Sequence, residues 1–384
     1  MMNTQQINAI LCNDAMTKHM FQGVFSIDEP HLGGSHRAWA EGYARNSAHD
    51  VSILSHAGAN WRWRLRGASV TLAEDARAWV AVHGRPDVVL ASSPLDVAAF
   101  TGLTRSALAG VPIAIYLHEN QVTYPHPDAA DTDASWRTWT SLLAVDHVMV
   151  NSRHHRDELT DGLTRLLAEA PDHPHAHLLD PMVEAIEVVP VGVDLPERRE
   201  REPRTPPRII WNHRWDADKN PDVFVRAVER IVSDGSSVEV VLAGADHWDG
   251  GRRRAAAAER LGATVVAAGP FDDETYRHHL ASSDVVVSVA DHDYFGVAVV
   301  EAIAAGCVPV LEHRLAYPEL IPQAFHGAVF HPTGQFRRRL AEVVDDLAGA
   351  RQAVDGLAGA MEAFGWQRVA PLLDAGLDRV CHTT

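Results

Sequence analysis

Two carboxylates late in the chain, Asp293 and Glu301, stand where a ligand would serve them better than solvent. Asp293 belongs to a polar loop, Ala290 to Tyr294, that follows the apolar run Val285 to Val289. Glu301 lies between Val300 and Ala302 on an Ala- and Val-rich segment of helical spacing, which starts at Val297 and stops at Gly306. An acid at a helix start can simply complement the dipole and cap free N–H groups. A carboxylate within an apolar helix needs a partner, and sugar or ribose hydroxyls, which donate in pairs, would satisfy both groups. A second run, His213-Arg214-Trp215-Asp216-Ala217-Asp218-Lys219-Asn220-Pro221, sets two cations between a strand and a helix. The planar fork of Arg214 and the point charge of Lys219 can converge on one anion. The alternative is surface ion pairing with Asp216 and Asp218.

The earlier half of the chain offers three further groups. Gly33 and Gly34 precede Ser35 and His36, a turn that lets backbone approach an anion at a helix N-terminus or simply joins a strand to a helix. His118-Glu119-Asn120-Gln121-Val122-Thr123-Tyr124-Pro125 concentrates polar groups directly after a buried strand. Trp61-Arg62-Trp63-Arg64-Leu65-Arg66 interleaves rings suited to stacking with cations suited to phosphate. The same residues would also serve as core rings covered by arginine stems.

These groups need elements to hold them. Val24–Asp28, Val51–Ser55, Asp87–Ala91, Pro112–Leu117, His147–Val150 and Glu187–Val191 read as strands, with helical patterns between them. Arg208–Asn212, Val238–Ala243, Thr264–Ala268, Asp284–Val289 and Val308–Leu311 repeat the scheme. The alternation predicts two α/β domains of doubly wound, Rossmann-like form with a cleft between them. Their expected limits are 24–195 and 208–363, joined by a charged, proline-rich linker at 196–207. Residues 1–23 read as an N-terminal extension that need not be ordered, and 364–384 as a last helix.

Composition narrows the function. Hydrophobic residues make up 46% and charged residues 22% of the chain, as in soluble globular proteins. No apolar run approaches the ~20 residues that span a bilayer. The 3 cysteines are scattered, which points to the reducing cytoplasm and away from a disulfide framework. A net charge of −17 argues against wholesale nucleic-acid binding but leaves room for a local basic face. The 23 histidines lack the acid and cysteine company of zinc sites.

The span from Asp293 through Phe295-Gly296 to Glu301-Ala302, Gly306 and Pro309-Val310, together with Arg214 and Lys219, resembles the donor site of retaining GT-B glycosyltransferases. Those usually carry Glu where this chain has Asp293. A subgroup fits more closely. Asp28-Glu29-Pro30 before Gly33-Gly34-Ser35-His36, the Trp61–Gly67 cluster, the His118–Pro125 run, and His292-Asp293-Tyr294-Phe295-Gly296-Val297-Ala298 resemble the tRNA-queuosine alpha-mannosyltransferases.

What the resemblance implies is transfer of mannose from GDP-mannose to the queuosine of tRNA-Asp, with no cofactor and no metal. Arg214 and Lys219 would hold the diphosphate, Gly33 and Gly34 would close over it, and Glu301 would take the ribose. Asp293 would orient the sugar alongside Phe295, Gly296 and Val297, with His118 on its reacting face. His36, Trp61, Arg62, Trp63, Arg64, Glu119, Asn120 and Tyr124 would meet the acceptor, and residues 364–384 would cross back to the first domain. A small-molecule, lipid or glycan acceptor is the alternative within the same enzyme class. A non-catalytic scaffold that only binds nucleotide sugar is the alternative outside it.

Overall fold

The computed structural model describes residues 9–13, 35–54, 61–124, 132–196, 204–245 and 251–381, with the backbone alone at 9–13, 35 and 61–66. The chain divides into two compact units, Met1–Gly192 with Trp366–Thr384, and Val193–Gly365. The division falls slightly ahead of the 196–207 stretch read as the linker.

The first unit is built on β1 (Ala9–Asn13), β2 (Asp50–Leu54), β3 (Val88–Ser92), β4 (Ile113–Leu117), β5 (His147–Val150) and β6 (Ile186–Val188). Their order in the sheet is β2-β1-β3-β4-β5-β6. β3 and β4 are buried along their whole length, and the adjacent pairs from β3 to β6 are parallel. One strand corrects the sequence reading: β1 lies inside the stretch taken as an N-terminal extension. It also pairs antiparallel with both β2 and β3, so this sheet is mixed rather than wholly parallel. The expected strand at Val24–Asp28 and the Gly33-Gly34 turn lie outside the described residues. A second finding concerns the Trp61–Arg64 cluster. It forms the first turn of one long helix, Trp61–His83.

The last helix, Trp366–Cys381, belongs to the first unit because its inner face is fitted to that unit's first helix. Trp366 is buried, and its indole lies so close to Gly42 and Gly192 that an added methyl would sit 2.3 and 2.4 Å from ring atoms. Only glycine leaves that room. Further along, the buried Asp374 accepts hydrogen bonds from the Tyr43 hydroxyl (2.7 Å), the Ser47 hydroxyl (2.6 Å) and the Ala48 N–H (2.9 Å). A buried carboxylate with three donors orients the helix as well as holding it.

The second unit carries β7 (Arg208–Trp211), β8 (Glu239–Leu242), β9 (Val265–Ala268), β10 (Val285–Ser288), β11 (Val308–Glu312) and β12 (Phe330–His331). The order is β12-β11-β10-β7-β8-β9, and every adjacent pair is parallel. β7 and β10 are therefore neighbours although β8 and β9 lie between them in the chain. That is the point at which a doubly wound sheet reverses direction, and loops leaving it part to form a crevice. Helix Pro221–Ser233 packs Phe224, Val225, Val228 and Ile231 onto the sheet at helical spacing. Their core includes Trp211, Trp215, Val240, Val285 and Val310.

Gly42→Ala should lower stability by about 1–3 kcal/mol, the scale of overpacking a filled site. Urea denaturation of wild type and variant measures it. An unchanged midpoint would show that the Trp366 contact is looser than its geometry.

Candidate active site

The two loops that leave the carboxyl ends of β7 and β10 hold the sequence-predicted site residues of this unit, and a buried lysine ties them together. Lys219 closes the 3-10 turn Ala217–Lys219, and Asn220 follows with left-handed backbone before Pro221 opens the helix. The Lys219 side chain is only 10% exposed. Its Nζ donates to the His292 carbonyl and lies 3.2 Å from Asp218 Oδ2 and 3.8 Å from Asp293 Oδ2. One ammonium thus serves two carboxylates and a backbone oxygen drawn from both loops. Asn220 adds a second tie, its Nδ2 donating to the Val289 carbonyl (3.0 Å) and to Asp291 Oδ2 (2.7 Å).

Asp293 occupies the centre of this knot. Burial pushes its carboxyl up, but the Lys219 ammonium, His213, the Tyr317 hydroxyl and the Phe295 N–H outweigh it and hold the group below the ordinary range. The Tyr317 hydroxyl donates to Asp293 Oδ2 at 3.1 Å and is itself 2.6 Å from the Ser288 hydroxyl. Asp293 is therefore a fixed anion, able to accept from ligand hydroxyls without needing a proton removed first. The chain then turns at Gly296, whose φ of 103° suits glycine, and helix Val297–Ala304 begins with its first N–H groups directed back to the loop.

His213 sits between Asn212 and Arg214 and is buried. Its Nε2–H donates to the Val287 carbonyl at 2.9 Å, which fixes the tautomer because a carbonyl only accepts. Burial, with help from Lys219, pushes its pKa down to about 4 against the pull of Asp293 and Asp218. A neutral imidazole therefore joins β7's loop to β10 without adding charge.

Glu301 points to a separate environment. It is half-buried, and its Oε2 accepts from the Tyr276 hydroxyl at 2.8 Å. Burial pushes its carboxyl up to about 7, with the Tyr276 hydrogen bond acting the other way. Asn212 donates to both the Tyr276 hydroxyl (3.1 Å) and the Ala298 carbonyl (2.7 Å).

The two cations are engaged differently: Arg214 pairs with Asp216 at 3.2 Å with its side chain 39% exposed, whereas Lys219 is buried. The partners are those of the alternative reading, but Lys219 is a buried tie rather than a surface ion pair. The triplets Asp216-Ala217-Asp218 and Asp291-His292-Asp293 are engaged internally, Asp216 and Asp218 by these cations and Asp291 by Asn220 and Arg314 (2.9 Å).

In the first unit, His118 follows β4, with its ring centroid 4.1 Å from that of His36, 4.7 Å from Trp39 and 4.8 Å from Tyr116. Its Nε2 is buried with no hydrogen-bond partner, and burial, His36 and His155 lower its pKa well below the usual value. His118 is thus a neutral ring, supported by Ser93 Oγ on its backbone N–H (3.1 Å). Glu119 accepts from Gln121 Nε2 at 3.0 Å. Asn120 is buried and closes a turn, its Oδ1 accepting from the N–H groups of Val122 and Thr123, so that oxygen is committed to the fold. Tyr124 is half-buried at the end of this run. The side chains of Trp61, Arg62, Trp63 and Arg64 lie outside the described residues.

Sequence reasoning passed over Tyr276, Asn212, His213 and Tyr317. His213 lay inside a run already singled out, but nothing marked it as buried. Tyr317 and Tyr276 carry no local signal, since each reaches its carboxylate from another element.

Lys219→Ala should cost about 3–5 kcal/mol at pH 8, because it strands a buried carboxylate. The loss should shrink at pH 5, since burial alone raises Asp293 and allows it to protonate. Arg214→Ala should cost less. Urea midpoints at both pH values test this, and equal losses by the two variants would refute the buried tie.

Residues 25–193 match the family model described as tRNA-queuosine alpha-mannosyltransferase N-terminal, and residues 195–354 match that of glycosyl transferases group 1. The chain is 30% identical over 311 residues to the tRNA-queuosine alpha-mannosyltransferase of Drosophila melanogaster, covering 77% of this chain and 81% of that one. It is 31% identical over 225 residues to a GDP-mannose-dependent alpha-(1-6)-phosphatidylinositol dimannoside mannosyltransferase of Mycobacterium tuberculosis, covering about half of each (51% and 53%). Among solved structures, sucrose-phosphate synthase from Thermosynechococcus elongatus superposes with a TM-score of 0.66 at 18% identity, over 93% of this chain and 96% of that one. That likeness shows the GT-B fold, with its two Rossmann-like domains. The chain is a hexosyltransferase, and it belongs to the tRNA-queuosine alpha-mannosyltransferase family.

Proposed function

We propose that this enzyme moves mannose from GDP-mannose to the queuosine of tRNA-Asp, with retention of configuration and without a metal. The observation that carries the reading is the match of residues 25–193 to the queuosine family's N-terminal half, since group 1 transferases of many acceptors share the other half. The donor assignment draws support from the mycobacterial relative, whose name states GDP-mannose dependence.

The described residues supply chemistry that suits this reaction. Departure of the diphosphate leaves an oxocarbenium-like sugar and a growing negative charge. Arg214 and the N-termini of helices Pro221–Ser233 and Val297–Ala304 are the groups that would meet that charge. Lys219 would contribute its field from behind while holding the loops in register. Asp293, ionised and fixed, accepts from sugar hydroxyls, and Glu301 accepts from the ribose. His118, neutral, accepts from a hydroxyl on the sugar's reacting face. No side chain is needed as a covalent nucleophile, because a same-face attack leaves the acceptor proton to the donor phosphate.

Incubation with radiolabelled GDP-mannose should label queuosine-containing tRNA-Asp and leave unmodified tRNA-Asp unlabelled. Excess EDTA should leave the rate unchanged. Loss of activity on chelation, restored by Mg²⁺, would overturn the metal-independent reading. Transfer to a glycan or phosphoinositide acceptor in place of tRNA would overturn the acceptor.

The Trp61–Arg66 cluster gives a separate test. Arg62→Glu with Arg64→Glu should weaken tRNA binding and flatten its salt dependence by roughly one unit of log–log slope per lost contact. Donor binding should be unaffected. Equal tRNA binding by both proteins would remove the cluster from the acceptor site.

A further inference from the structure

We propose that Tyr276 is a positioning residue for the donor site: held by Asn212, its hydroxyl occupies one oxygen of Glu301 and leaves the other for the donor, which binds with loss of the Glu301 proton. The inference rests on the reading that Glu301 accepts ribose hydroxyls.

Three elements meet in this arrangement. Asn212 follows β7, Tyr276 stands on helix Asp273–Ala281, and Glu301 on helix Val297–Ala304. The Ala298 carbonyl can only accept, so the Asn212 amide nitrogen must face it at 2.7 Å. The same nitrogen donates to the Tyr276 oxygen at 3.1 Å. With an acceptor position of that oxygen filled, its own proton is directed to Glu301 Oε2 at 2.8 Å. The chain therefore has one polarity, from Asn212 through Tyr276 to Glu301. A proton on Oε2 would oppose the tyrosine's donation, so a protonated Glu301 carries its proton on Oε1, the oxygen left for a ligand.

The surroundings act against that charge. Burial is the largest influence on Glu301 and raises it to about 7, with Asp273 and Asp194 pushing the same way and Arg277 opposing. Tyr276 also faces Cys307 and is raised well above its ordinary range, so it stays a donor throughout the neutral range. Near neutral pH the free protein is thus a mixture of protonated and ionised Glu301. With Oε2 filled by Tyr276, a ribose hydroxyl donates to Oε1 once that oxygen has lost its proton, so the ligand draws on the ionised fraction.

The sign follows from linkage. The bound pKa lies below the free one, so affinity is full above about 7 and falls by about tenfold per pH unit beneath it, until the bound pKa is reached. His213, at about 4, does not titrate in that window.

The test is calorimetric titration of GDP-mannose, whose phosphates do not titrate near neutrality, from pH 5.5 to 8.5. Wild type should show the fall below about pH 7 with proton release. Tyr276→Phe should bind about tenfold more weakly at pH 7, with the midpoint moved to higher pH, because the hydrogen bond that favours the carboxylate is gone. Arg277→Gln, at an exposed position, should move the midpoint the same way by less. Glu301→Gln should bind weakly with no pH midpoint. A midpoint in Tyr276→Phe equal to that of wild type, with binding retained, would overturn the inference alone. Absence of binding by wild type to GDP-mannose, UDP-glucose and ADP-glucose at pH 8 would overturn the donor reading and the inference with it.

Discussion

The parallel pairing of β7 with β10 is the constraint on which the donor-side residues depend. Val285 and Val286 of β10 lie against Ile209 and Ile210 of β7, in a layer closed by Val240 and Val310. Both strands are apolar and covered on both faces, which fixes their pairing by burial rather than by any single polar contact. Once they are adjacent, their following loops leave the same edge of the sheet side by side. The pairing alone would let those loops spread. Lys219, Asn220 and His213 prevent it, each running from the β7 loop to the β10 strand or loop.

The charges in this region are arranged in two states. Asp293, beside a buried ammonium, is an anion at all working pH values. Glu301, beside a tyrosine and with acidic neighbours, sits near its titration point. Both are half-buried carboxylates on one loop and helix, and their nearest partners separate them. One has a full positive charge within 4 Å, and the other accepts from a neutral hydroxyl. Coulombic attraction overcomes desolvation in the first case, and one hydrogen bond does not in the second.

The first unit handles polarity differently. His118 is stacked at a tilt on His36 and edge-on to Trp39 and Tyr116, and its burial favours a neutral ring. Ser93 and Asn151 hold the backbone around His118 from neighbouring segments, Asn151 donating to its carbonyl at 2.8 Å. The last helix is anchored in the same unit by Trp366 against two glycines and by Asp374 against three donors. The absence of a Cβ at Gly42 and Gly192 is what leaves room for that ring.

The sequence by itself determined the alternation of strands and helices, the position of Asp293 and Glu301 after a buried strand, and the family. These follow from local pattern: apolar runs, helical spacing, glycine stops and contiguous motifs. It did not disclose β1, because that strand enters the sheet antiparallel, between partners distant in the chain, and carries too short an apolar run to announce itself. Only the tertiary structure decided that Lys219 is buried between two carboxylates drawn from both loops. It also decided that Asn120 closes a turn, that Tyr317 and Tyr276 reach the two acids, and that His213 is neutral with its tautomer fixed. Each of these depends on contacts between residues far apart in sequence, and burial and hydrogen-bond geometry exist only once the strands that carry them are paired.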